Sequence, residues 1–453
     1  SNVRWRAAVA LAQPGPAEAC SDDQRDKVIE VLRGALDNWD SGVRRRAAVA
    51  LAQPGLAGAC SDDQRDKVVK VLYERIFVEE SESVGGAIQQ ALKALREAGA
   101  TMPGLAVSPV KSEPGKPPKE PDFNEIWGEF ERLATETRNL VYKPEEVHQY
   151  HTALWSNPDS TRHFVILAGP SGTGKTKLAQ VYAAAVLGCE GIGALEATGR
   201  FCLMAIRPEW TDARDLMGYY NPLKGEYQST PVLDLVLRAI NDQGNPYFLI
   251  LDEMNIAHVE YYFSDFLSGM ESGEPITLHN EEGLDIPKTI RIPPNLFVTG
   301  TINLDETTHE ISPKVLDRAY LLVLKADWDL YEEKSPLKDD PDLGDTFKEL
   351  MGKDGLIRRA AEILDESGLG FGYRTAEDIV RCVAKDKKSG FAALDRLFIS
   401  KILPKIKGSE SEKLKNALEN LIDLTSELPE TSEHLEQMRK DLEEKGFVRF
   451  KPI

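Results

Sequence analysis

The octapeptide GPSGTGKT, Gly169–Thr176, puts three glycines, three hydroxyl side chains and one lysine into eight residues. It follows the apolar run HFVILA and precedes KLAQVYAAAVLG, a good helix former. Strand, glycine-rich loop and helix in that order are the context of a phosphate-binding loop. Gly169, Pro170, Ser171, Gly172, Thr173 and Gly174 would form the loop, its glycines letting main-chain N–H groups turn inward around phosphate oxygens, and the helix N-terminus adds partial positive charge. Lys175 would reach the β and γ phosphates, and the Thr176 hydroxyl would ligate Mg²⁺. A second stretch, YFLILDEMN at Tyr247–Asn255, is an apolar strand ending in two carboxylates. Asp252 fits a holder of the magnesium shell and Glu253 fits the group that orients and activates an attacking water. Such a pair is often only a solvated strand exit. Its place 77 residues after Lys175, beyond another β-rich run, favours chemistry.

A third stretch, FVTGTINLDETTHEISPKVLDRA at Phe297–Ala319, ends an apolar strand in Asn303. In a parallel sheet that strand would lie between the other two. Its amide would donate to a γ-phosphate oxygen and accept from the attacking water. Arg318 follows fifteen residues later. It has three readings: contact with its own phosphate, a salt bridge with Asp317 or the helix C-terminus, or a finger reaching a neighbouring subunit's nucleotide, which is the expectation. Arg374, in GLGFGYRTAEDIVRCV, would touch the γ-phosphate from a lid, or is a surface helix charge. The expected substrate is ATP or GTP with Mg²⁺, and nothing in the loop reads the base.

These residues need a frame. Five β-rich runs (HFVILAG, FCLMAI, YFLILDE, NLFVTGTIN, AYLLVLK) alternate with helical patterns, which indicates a parallel α/β sheet over residues 122–327. From 328 to 453 the pattern reads as helical throughout. Residues 101–121 hold six prolines without apolar periodicity and read as an extended linker. Residues 1–100 carry an internal repeat. VRWRAAVALAQPGPAEACSDDQRDKVIEVL starts at Val3, and VRRRAAVALAQPGLAGACSDDQRDKVVKVL starts at Val43, with 25 of 30 positions identical. A third, diverged unit is SVGGAIQQALKALREAG. Each unit reads as two helices, broken by Pro-Gly and reopened by Ser-Asp-Asp as an N-cap. A spacer role and a partner- or DNA-binding role both fit such a solenoid.

The net charge of −19 argues against a surface that binds nucleic acid everywhere, though not against a local basic patch or pore. Five cysteines without C-x-x-C spacing argue against zinc and for a reducing cytoplasm. No apolar run is long enough to span a bilayer, no signal peptide is seen, and no membrane association is expected. The chain opens on Ser1 and Asn2 without an initiator Met, and a further upstream domain is an expectation.

The repeats resemble HEAT repeats. Residues Phe123–Gly408 resemble the AAA+ superfamily and, within it, the McrB family, through FVILAGPSGTGKTKLA, LILDEMNIAHVEYYFSDFLSGMESG, FVTGTINLDETTHEISPKVLDRA, and GYRTAEDIV with DRLFISKILPKIKGS. The implied fold is an AAA+ α/β P-loop domain with a five-stranded parallel sheet and an α-helical lid, preceded by an all-α HEAT-like segment. The resemblance implies a ring, usually hexameric, with sites at subunit interfaces. It also implies an insertion near IRPEWTDARDLMGYYNPLKGEYQS, a β-hairpin in EPITLHNEEGLDIPKTIRIPP, and a McrC-like nuclease partner in DNA restriction or anti-phage defence. DNA would be met through that partner, a pore or the upstream domain. The chain departs from the family pattern at Ile302, where Met is usual, at Glu306 with Asp305 beside it, where Asp is usual, and at Ile256, where Arg is common; Arg318 stands alone where many relatives have a run of arginines. A MoxR-like protein-remodelling ATPase and a nucleotide-gated HEAT scaffold are the alternatives. Glu253 argues against the scaffold, which needs no catalytic carboxylate.

Overall fold

The apolar runs of the sequence become strands, and the stretches between them become the helices that cover them. The computed structural model describes residues 20–36, 41–51, scattered positions between 60 and 91, 117–137, 140–156, 161–304, 309–386 and 389–451. The first repeat helix, most of the third repeat, the linker over 101–116, Asp305 and Glu306 lie outside the described residues. The chain divides into two compact units, Ser1–Glu113 and Pro114–Ile453.

In the first unit, α1 (Asp22–Leu36) packs against α2 (Ser41–Leu51). Val28, Ile29, Leu32 and Leu36 recur at helical spacing and are buried, as are Ala47, Ala48, Ala50 and Leu51. Gln24 and Gln64 occupy one repeat position, and each side chain accepts from the N–H of the serine three residues before it, Ser21 at 2.9 Å and Ser61 at 3.2 Å. The Gln64 amide also donates to the Asp22 carbonyl and the Asp26 carboxylate, at 3.0 and 3.1 Å. A buried glutamine thus stitches one repeat to the preceding one.

The second unit begins with α3 (Phe123–Glu136) and α4 (Pro144–Trp155), followed by β1 (Phe164–Gly169), α5 (Lys175–Leu187) and β2 (Phe201–Ala205). An antiparallel hairpin, β3 (Tyr219–Asn221) with β4 (Glu226–Gln228), precedes α6 (Pro231–Asn241) and β5 (Tyr247–Asp252). After α7 (Ser264–Ser272) a second hairpin, β6 (Ile276–Thr277) with β7 (Thr289–Ile290), leads to β8 (Leu296–Asn303) and β9 (Tyr320–Val323). Each hairpin falls in a segment where the family resemblance implies an insertion or hairpin.

The main sheet has the order β2-β5-β8-β1-β9, and all its pairings are parallel. Side chains alternate between its faces. Val165, Leu167, Phe248, Ile250 and Phe297 pack with α3, α4 and α5. Phe164, Ile166, Leu249, Leu251 and Val298 pack with α6 and α7. Burial on both faces explains why β1, β5 and β8 read as nearly unbroken apolar runs. Register aligns the strand ends: Gly169 lies opposite Asn303, and Ala205 opposite Asp252.

The remaining helices, α8 (Trp328–Lys334), α9 (Gly344–Met351), α10 (Leu356–Glu366), α11 (Tyr373–Lys385), α12 (Phe391–Lys401), α13 (Glu412–Leu424) and α14 (Pro429–Lys445), share a separate apolar core. The expectation of helix throughout this region needs one correction. An antiparallel ribbon, β10 (Lys407–Ser409) with β11 (Phe447–Arg449), closes it. Strands of three residues show no period in a sequence and form only because the chain end returns to pair.

Candidate functional site

Carboxyl ends of parallel strands leave a crevice where strand order reverses, and ligands collect there. Here β1, β5 and β8 end side by side, and the loop after β1 turns into α5. A cavity of about 320 Å³ opens at this point, lined by Gly172, Lys175, Thr176, Asp252, Glu253, Thr301, Asn303 and Arg374, among others.

The loop is shaped by its glycines. Gly172 and Gly174 have φ of +86° and +89°, a region open to glycine and costly for other residues. A Cβ on Gly174 would lie 2.7 Å from the Tyr142 hydroxyl oxygen. That hydroxyl donates to the Gly174 carbonyl at 2.8 Å, and burial pushes the phenol well above its ordinary pKa, so it remains a donor. Lys175 is buried, and its Nζ donates to the carbonyls of Gly169 and Pro170 at 2.9 and 2.7 Å. The Thr173 hydroxyl donates to Pro170 O at 3.0 Å.

The carboxylates meet the loop directly. Thr176 Oγ1 donates to Asp252 Oδ1 at 2.5 Å. Glu253 follows in the left-handed region, with φ 52° and ψ 46°, and among the described residues no other non-glycine has positive φ. Strain of this kind collects where a side chain must be aimed against local preference. Asn303, buried at the tip of β8, donates from Nδ2 to Glu253 Oε1 at 3.1 Å.

The helical lid reaches the same place. The Gly372 N–H donates to the Ser171 carbonyl at 3.2 Å, and Arg374, two residues later, lines the cavity. Lys143 pairs with Asp327 at 2.5 Å, and Tyr373 Oη accepts from the Asp327 N–H at 2.7 Å. The segment before α4 and the lid are therefore tied together beside the loop.

Residues 164–319 match the family model described as AAA domain (dynein-related subfamily). The α/β portion of the chain is an AAA+ domain. Residues 343–447, most of the helical region that follows, match the model described as Domain of unknown function (DUF8727). No curated protein matches the chain significantly.

In the AAA+ domain the residues present fit a triphosphate and its metal. The loop offers a glycine cradle that side chains would fill. Thr176 and Asp252 present hard oxygen donors of the kind Mg²⁺ takes. Among the residues singled out from the sequence, Ser171, Gly172, Gly174, Lys175, Thr176, Asp252, Glu253, Asn303 and Arg374 line one cavity. Arg318 does not. It follows the short turn Pro313–Leu316, donates to the Lys314 carbonyl at 2.6 Å, and forms an ion pair with Glu271. Of the partners anticipated from sequence, the helix terminus is met through the Lys314 carbonyl, while the salt bridge goes not to Asp317 but to a carboxylate 47 positions earlier in the chain, on α7.

Sequence reasoning missed Thr301 and Tyr142. Thr301 was discoverable: Thr299, Thr301 and Asn303 form a polar line of period two in an apolar strand. Tyr142 carries no such signal, since only the packing of α3 and α4 brings it to the loop. Among the described residues, no single helix is long and apolar enough to cross a membrane.

Proposed function

We propose that this chain binds ATP or GTP with Mg²⁺ in the cavity between the glycine loop and the tips of β5 and β8, and hydrolyses the β–γ phosphoanhydride bond. The observation that carries the reading is the convergence of Lys175, Thr176, Asp252, Glu253, Asn303 and Arg374 on one cavity. Main-chain N–H groups of the loop and Lys175 would hold the phosphates. Thr176 and Asp252 would hold Mg²⁺, which neutralises charge on the transferring phosphoryl group when bound. Glu253 would orient water, and Asn303 holds that carboxylate from β8. Arg374 would approach the γ-phosphate from the lid.

The finer assignment follows the family resemblance. The chain works as the motor of a ring, of six subunits by analogy, with Arg318 acting on the neighbour's nucleotide. A McrC-like nuclease is the partner in DNA restriction or anti-phage defence, in the cytoplasm, with DNA met through the partner, a pore or an upstream domain. HEAT-like repeats over 1–100 supply targeting through a proline-rich linker at 101–121, ahead of the NTPase domain (122–327) and the lid with its C-terminal helices (328–453). The net charge of −19 favours one competitor, remodelling of a protein client in the MoxR manner.

Turnover of ATP and GTP, measured side by side with and without DNA and a candidate nuclease subunit, tests the proposal. Lys175→Ala is expected to abolish nucleotide binding. Glu253→Gln is expected to retain binding and lose turnover by about a hundredfold or more. Wild-type turnover in Glu253→Gln would remove Glu253 from the chemistry. Stimulation by a folded or unfolded protein client, and not by the nuclease, would select the remodelling alternative.

A further inference from the structure

Asp252 and Glu253 are adjacent in sequence, yet the proposed reaction requires them to do different things. One carboxylate must face the metal site beside Thr176. The next must turn towards the water, from a backbone conformation that costs roughly 1–2 kcal/mol for an L-residue. Something must fix both settings at once.

The hydroxyl of Thr301 meets both residues. Thr301 Oγ1 donates to Asp252 Oδ1 at 2.8 Å, and it accepts from the main-chain N–H of Glu253 at 2.9 Å. Thr301 is 2% exposed and sits near the carboxyl end of β8, the strand between β5 and β1. Its neighbour Gly300 leaves the room that Met254, one residue past Glu253, occupies; a Cβ there would lie 2.0 Å from Met254 Sδ.

We infer that Thr301 is a positioning residue for the hydrolysis proposed above: its single hydroxyl locks the metal-facing carboxylate and the left-handed turn at Glu253 into one rigid unit. The inference rests on that reading for its catalytic consequence, though the clamp itself needs no nucleotide. Thr176 Oγ1 donates to the same Asp252 oxygen. When that hydroxyl turns to a metal ion, Thr301 is the hydrogen bond that keeps Asp252 aimed. Asn303, two residues along the same face of β8, completes the set by holding the Glu253 carboxylate. One strand face thus grips the main chain and the side chain of the same glutamate.

The test compares Thr301→Val, which keeps the shape and removes the hydroxyl, with Thr301→Ser, which keeps the hydroxyl and removes the methyl. In metal-free, nucleotide-free protein, amide hydrogen exchange at Glu253 should accelerate about tenfold or more in Thr301→Val and stay near wild type in Thr301→Ser. In turnover with Mg²⁺ and ATP or GTP, Thr301→Val should lower kcat about 10–100-fold with KM changed less than about threefold, and Thr301→Ser should recover most of kcat. Unchanged exchange and unchanged kcat in Thr301→Val overturn the inference. Equal losses in both variants also overturn it, since packing of the methyl would then be the cause. Accelerated exchange in Thr301→Val beside a wild type that hydrolyses no triphosphate upholds the clamp and overturns the hydrolysis reading.

Discussion

Gly372→Ala is a sharp probe of how the lid meets the phosphate loop. Gly372 precedes α11 with φ −91°, a conformation any residue adopts, so the substitution adds no backbone strain. Its effect must come from space. An added Cβ would lie 2.2 Å from the carbonyl carbon of Gly172 and 2.5 Å from the amide nitrogen of Thr173, where ordinary contact begins at 3.4 Å. Both neighbours are backbone, so neither can swing aside as a side chain would. Lid and loop must separate by about 1.2 Å, the shortfall from 3.4 Å to 2.2 Å. Arg374 lies two residues on and must travel with the lid, and a 1 Å misplacement of a positioned group costs on the order of a hundredfold in rate. The expected result is a fall in kcat/KM of about 10–100-fold, or roughly 1.4–2.7 kcal/mol. A loss of about 1–3 kcal/mol in stability should accompany it, as overpacking typically produces. Steady-state turnover with ATP and GTP, paired with urea unfolding, measures both. Arg374→Ala separates the two effects, because it should lose turnover at wild-type stability. Wild-type turnover and stability in Gly372→Ala would refute the claim that the lid seats on this loop at van der Waals distance.

Burial raises the Asp365 carboxyl, at the end of α10 in the lid, to about 6 from its ordinary 3.8. Its stabilising contribution is therefore complete below about pH 4 and lost as pH rises through 6. Asp365→Asn should flatten urea-unfolding stability between those limits and raise it by about 1–2 kcal/mol at pH 7.5 after allowance for solvent screening. Arg318→Ala should leave nucleotide affinity within about threefold and slow turnover by a hundredfold or more, as loss of an arginine finger does. Mixing it with Glu253→Gln protein should recover activity, and a titration without recovery at any ratio would exclude action across an interface.

Much of the site was legible because phosphate binding depends on backbone geometry that only a narrow residue set permits. Glycines at 172 and 174 announce positive φ by residue type alone, and a lysine and a threonine opening a helix complete the residue pattern of a phosphate-binding loop. Asp252 and Asn303 were legible because a polar residue ending an apolar strand marks the carboxyl edge of a parallel sheet. Arg374 depended on the fold. Its distance from the loop along the chain is large, and the Gly372 N–H on the Ser171 carbonyl is what brings it there. Arg318 shows the opposite. Its ion pair with Glu271 joins two segments whose proximity no local pattern encodes.

Residue identity alone determined that this chain has a glycine loop poised before a helix, acidic and amide groups at strand ends, and a repeated helical segment, because φ preference, apolar periodicity and hydrogen-bonding chemistry are local properties. Tertiary structure decided which of these groups share a cavity, that Thr301 binds two catalytic candidates at once, that Tyr142 and the lid both hydrogen-bond to the loop, and that Arg318 is turned towards Glu271 and does not line the cavity. Those contacts join residues tens to more than two hundred positions apart, and their distances are set by sheet order and helix packing, which individual residues do not encode.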